Sequence, residues 1–172
     1  MPVRSAYSVP QRLLHWLVAL LVFFNLLFPD GMNAWRHLVH RGQTPSPGDI
    51  ASANIHAYAG IAVLLLAIVR LAVRFSSDAP EKPNGQPAFL HHIAHVTHVL
   101  LYVLIFAMPV SGIAAYYLGV DTAGSVHGGL MKMLLWIVVV LHIFGALVQH
   151  FYFRSDVLRR MTIGESNSRK SA

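Results

Sequence analysis

The chain has 172 residues, of which 55% are hydrophobic and 12% charged, with a formal net charge of +6. Soluble domains carry about twice that share of charge, so water is not this chain's main solvent. Cysteine is absent, which excludes disulfides, thiolate metal sites, iron–sulfur clusters and covalently attached c-type haem.

Four apolar runs, at about 10–28, 50–75, 89–118 and 126–153, are each long enough to cross a hydrocarbon core of about 30 Å at ~1.5 Å per residue. The expected fold class is therefore all-α, a four-transmembrane-helix bundle. Residues 1–160 form one membrane domain, and 161–172 a basic, disordered tail.

The first span opens at Ser8 or Pro10 and stops at Pro29-Asp30-Gly31. It is too long for a signal peptide and lacks a small-residue cleavage site, so it is expected to be retained. An outer loop follows, with Trp35, His37, His40 and the stretch Thr44-Pro45-Ser46-Pro47-Gly48. Asp49 or Ser52 is the expected cap of the second span, which returns to Arg70 and Arg74. The connection from Ser76 to Pro87 is polar and proline-rich and reads as a flexible loop. The third span holds Pro109, which in a membrane kinks a helix without ending it. The turn Gly119 to Gly124 is short, so the third and fourth spans are antiparallel neighbours. Beyond Phe153 the chain reads as basic and disordered.

The basic residues divide by membrane side. Arg4, Arg12, Arg70, Arg74, Lys82, Arg154, Arg159, Arg160, Arg169 and Lys170 fall on one side, against Arg36 and Arg41 on the other. Positive residues stay inside, so both termini are expected in the cytoplasm. The charge forms no continuous strip, and nucleic acid is not expected as a partner.

The eleven histidines are the other anomaly, because an ionisable group in hydrocarbon costs several kcal/mol unless it has a partner. His15 and His142 lie near the inner ends of the first and fourth spans; His56 and His127 lie near the outer ends of the second and fourth. That makes one pair at each membrane level. Two imidazoles on opposite helices saturate a haem iron and give a low-spin electron-transfer centre. His127 and His142 are fifteen residues apart, ~22 Å along a helix and ~60° of rotation. Small residues stand four positions after three of these histidines: Ala19, Gly60 and Ala146. They give clearance to a flat macrocycle, or are ordinary membrane helix contacts.

A second polar stripe runs along the third span through His91, His95, His98 and Tyr102, which share one face. His95 or His98 could take the place of His142 as inner ligand. They could also line an inner cavity with His150 and Gln149, where a quinone carbonyl needs hydrogen-bond donors and a proton source. Arg70 and Arg74 suit haem propionates or anchor the inner surface. Lys132 is the odd charge in the fourth span, a candidate for pairing with an outer propionate or attracting an anion.

The stretches Arg12-Leu13-Leu14-His15-Trp16, Ile55-His56-Ala57-Tyr58-Ala59-Gly60, Val69 to Arg74, Ala94 to His98 with Tyr102, Met108-Pro109-Val110-Ser111-Gly112, Leu141-His142 and His150 to Phe153 occur in the order found in bacterial cytochrome b561. The chain resembles that family over nearly its whole length. The resemblance implies two haem b groups, with His15 and His142 on the inner one and His56 and His127 on the outer. It also implies a bacterial inner-membrane location. The family includes a superoxide oxidase that passes electrons to ubiquinone, and related cytochromes serve as quinone-linked subunits of larger dehydrogenases. The expected function is thus electron transfer from an outer one-electron donor, superoxide or a periplasmic redox partner, to ubiquinone. A membrane anchor and conduit for a dehydrogenase is the alternative, and a haem-free histidine-lined transporter a third class. Oligomeric state stays open. Two departures stand out: the connection before the fourth span is short, and its histidines are one residue further apart. A π-bulge near Gly128-Gly129 would absorb the extra residue.

Overall fold

The computed structural model describes residues 6–77 and 88–164, and every regular element among them is helical. Arg4, Lys82, Arg169, Lys170, most of the Ser76 to Pro87 connection and the tail from residue 165 lie outside the described residues. Four helical segments are long and apolar enough to span a membrane: Val9–Leu27, Pro47–Phe75, Phe89–Leu118 and Asp121–Phe151. The end of the bundle that carries Val9, Phe75 and Phe151 is here called the terminal end; the other is the opposite end.

Helix α1, Val9–Leu27, starts with a capping box. The Gln11 N–H reaches Ser8 Oγ at 3.5 Å while the Ser8 N–H donates to Gln11 Oε1 at 3.0 Å, so two otherwise orphaned donors are satisfied at once. Helix α3, Pro47–Phe75, repeats the device. Its cap is Ser46, one turn earlier than expected, and Asp49 is the reciprocal partner, with Oδ2 2.9 Å from the Ser46 N–H. Helix α4, Ala88–Leu118, continues through Pro109 and closes at Gly119, whose φ of 67° is open to glycine at little cost.

The fourth span differs from a plain helix. It consists of α5, Asp121–Val126, a π-helical turn at His127–Met131, and α6, Lys132–Phe151. The π turn lies where the extra residue between the histidines called for it.

Two further helices stand where irregular chain was expected. Residues 30–40 form α2, Asp30–His40, instead of a loop. It is too short and polar to span a membrane, but Met32, Trp35 and Val39 recur at three and four residues and face one cavity. Beyond Phe153, α7, Val157–Thr162, replaces the expected disorder. Two α1 side chains hold its last turn: Arg12 Nη1 donates to the Thr162 carbonyl at 3.0 Å and Trp16 Nε1 to the Met161 carbonyl at 3.1 Å. These are the carbonyls a helix end leaves without a partner.

Packing follows chain order, α1 on α3, α3 on α4 and α4 on α6, with α2 laid against α3. The buried cluster of Leu26, Leu104, Leu135, Val138 and Val139 joins α1, α4 and α6. Most other large apolar side chains, Leu20, Leu65 and Phe144 among them, point outward. That is the expected arrangement where the solvent is lipid and helices associate by close packing. Helices approach closely at Gly31, where an added Cβ would lie 2.7 Å from Ser52 Cβ. Gly31→Ala should therefore destabilise the α2–α3 contact by about 1–3 kcal/mol, read as a lower melting temperature in detergent. Gly145→Ala, with nothing within 4 Å of the new Cβ, should show no loss.

Candidate functional site

His15 on α1 and His142 on α6 face each other near the terminal end, with ring centroids 6.2 Å apart and planes at 61°. Near the opposite end, His56 on α3 and His127 in the π turn face each other at 6.3 Å and 76°. All four are half-buried. A ring nitrogen stands about 1.1 Å from its imidazole centroid and about 2.0 Å from a metal it binds, so two imidazoles on one ion place their centroids about 6.2 Å apart. Both pairs match that spacing. Among the described residues no group of three or more histidine or acidic side chains could hold a bare ion. Two axial nitrogens alone suit an ion whose other positions are filled by a macrocycle, and this donor set fits haem.

The opposite-end pair opens onto a cavity of about 300 Å³ lined by residues of all four spans and of α2. Gly60, Gly112 and Gly128 border it. A Cβ at Gly112 would come within 3.1 Å of His127 Cε1, so the imidazole sits in a notch that a larger residue would tighten. His127 Nδ1 is 2.9 Å from the Met108 carbonyl oxygen. A carbonyl can only accept, so Nδ1 carries the hydrogen and Nε2 keeps its lone pair for a ligand. On the facing ring, His56 Nδ1 is buried without a hydrogen-bond partner.

Two cations border this cavity, Lys132 and, from α2, Arg36. Arg36 Nη1 donates to the Gly124 carbonyl at 3.0 Å and its Nε to His40 Nε2 at 3.1 Å, which ties α2 to α5. Asn25 also lines the cavity, its amide donating to the His56 carbonyl at 3.2 Å.

At the terminal end His98 approaches His142 to 5.2 Å, shorter than two rings on one iron require, and its Nδ1 meets the Ala94 carbonyl at 2.6 Å. His98 thus flanks the pair. The Arg70 guanidinium stands 5.3 Å over the Tyr102 ring. The Tyr102 hydroxyl is buried without a partner. His95 is exposed. His150 packs on Phe151, its Nδ1 buried and unpartnered. Neither His95 nor His150 joins the ring contacts around His142.

Sequence reasoning passed over Asn25 and Ser111 as site residues and counted Arg36 only among the outer-face cations. Asn25 was findable, as a polar amide deep in an apolar span. Arg36 was hidden by the assignment of its segment to a loop.

These features define a four-span membrane bundle with a histidine pair facing across the helices near each end. Residues 6–164 match the prokaryotic cytochrome b561 family, and the chain belongs to it. The chain is 28% identical to "Probable superoxide oxidase CybB" of Yersinia pestis, covering 92% of this chain and 97% of that one. It is 29% identical to "Cytochrome b562" of Cereibacter sphaeroides, over 94% of this chain and 98% of that one. To "Cytochrome b561 homolog 2" of Escherichia coli it is 26% identical over 94% and 93%. Family membership implies haem b and membrane electron transfer, in a multi-pass bacterial membrane protein.

Arg36→Ala should loosen α2. Losing a hydrogen bond worth about 1–1.5 kcal/mol should raise amide exchange in Asp30–His40 about tenfold, measured by hydrogen–deuterium exchange, with the middle of α3 unchanged.

Proposed function

We propose that the chain holds two haem b groups and carries electrons across the bacterial inner membrane, from a one-electron donor at the opposite end to ubiquinone near the terminal end. The observation that carries this is the pair of centroid separations, 6.2 and 6.3 Å, one at each end of the bundle. When bound, each haem supplies a one-electron couple. His15 and His142 hold the terminal-end group, and His56 and His127 the other. Both termini are cytoplasmic, in keeping with the ten basic residues on their side. The opposite end then faces the periplasm.

Arg70 neutralises a propionate of the terminal-end haem. Its half-buried guanidinium stands over the Tyr102 ring, and a carboxylate suits its planar fork. Tyr102 and His150 offer buried, unpartnered polar atoms to quinone carbonyls, and His98 can pass a proton to the reduced quinone. Superoxide is the outer donor we favour, because a relative carries that activity in its name and Arg36 and Lys132 both border the opposite-end cavity. A small anion is drawn to such a site over about a Debye length.

The pyridine haemochrome of the detergent-purified protein should give two haems per chain, extractable with acid-acetone. His15→Ala and His56→Ala should each remove one haem, and different ones. A ratio near one, or either substitution leaving both low-spin signals intact, would refute the assignment.

Lys132→Gln should slow haem reduction by superoxide roughly two- to tenfold and flatten its salt dependence, with haem spectra unchanged. Stopped-flow mixing with a superoxide source reads this directly. If the unmutated protein shows no superoxide-dependent reduction, the chain is a conduit for a larger dehydrogenase.

A further inference from the structure

The segment Met108 to Gly112 surrounds one imidazole. Gly112 leaves the notch for the His127 ring, and the Met108 carbonyl oxygen is 2.9 Å from Nδ1. Ser111 completes the enclosure. Its Oγ lies 3.1 Å from the same Nδ1, 2.9 Å from the Met108 oxygen and 3.7 Å from Met131 Sδ. Since Nδ1 bears the hydrogen, the hydroxyl can only accept from it. The hydroxyl's own hydrogen goes to the Met108 oxygen, a far better acceptor than a thioether and the partner a helical serine commonly takes.

We infer that Ser111 is a positioning and tuning residue for the opposite-end haem. Its hydroxyl and the Met108 carbonyl form a paired acceptor for His127 Nδ1–H that sets how strongly the imidazole donates to iron. The inference rests on the haem assignment above. A hydroxyl that donates onward becomes a better acceptor, so the chain from Nδ1–H through Oγ–H to the carbonyl is self-reinforcing. Drawing the Nδ1 hydrogen away makes the ring more electron-rich at Nε2, and an electron-rich axial ligand favours ferric over ferrous iron. Among the described residues no such acceptor faces His56 Nδ1, so the two ligands of this centre are unequal, and His127 is the one the fold controls.

The test compares Ser111→Ala with Ser111→Thr by spectroelectrochemical titration, with haem content measured beside it. Removing the hydroxyl in Ser111→Ala should raise the midpoint potential of one haem and shift its low-spin electron paramagnetic resonance, leaving the other haem unmoved. Threonine keeps the hydroxyl and should restore both values. A role in packing alone gives the reverse order, because alanine adds no atom at this position and threonine adds a methyl. An unchanged midpoint in Ser111→Ala, or a shift shared by both haems, overturns the inference. If alanine loses one haem, retention of it by threonine supports the hydroxyl's role, and loss in both overturns it. His127→Ala separates the two levels: if both haems survive it, the ligand assignment has failed and not merely the tuning.

Discussion

An imidazole at membrane depth has to meet a partner there, since lipid offers its nitrogens neither donor nor acceptor. Much of the bundle is arranged around satisfying that condition twice. His15 looks across at His142 and His56 at His127, at separations that match two imidazoles on one metal ion. The lipid-facing surface can then be almost uniformly apolar, because these polar groups turn inward.

The fourth span serves both pairs, which puts a demand on its geometry. One inserted residue in an α-helix turns everything on one side of it by about 100° relative to the other. The π turn at His127–Met131 resets the rotation locally, and α6 packs through Leu135, Val138 and Val139 while His127 faces His56 on α3. The turn works only because α4 gives way opposite it, with glycine at 112 and a carbonyl within reach at 108.

The two ends of the bundle are finished by different means. At the opposite end, the amphipathic α2 lies on α3 and is pinned to α5 by a guanidinium, closing one side of the cavity while leaving two cations on its lining. At the terminal end, α7 is held to α1 by side chains adjoining or one turn from His15. Relatives at 26–29% identity cover nearly the whole chain, so the bundle is the shared feature. Donor and acceptor choice rests on the groups that line its ends.

Sequence alone determined the four spans, because about twenty apolar residues in a row have one good solution in a bilayer. It also determined the depth of each histidine, since helical rise is fixed, and it located the π turn from a one-residue excess. It could not assign α2 or α7, whose short amphipathic stretches are stable only against α3 and α1. It left open whether His95, His98 or His142 faces His15. Rotation about each helix axis decides that, and rotation is set by packing at seams such as Val18, Ala53, Val63 and Ala67 that no single helix encodes. The roles of Arg36 and Ser111 were invisible for the same reason. Each acts through a backbone carbonyl, and which carbonyl lies within reach of a side chain is a property of how the helices meet.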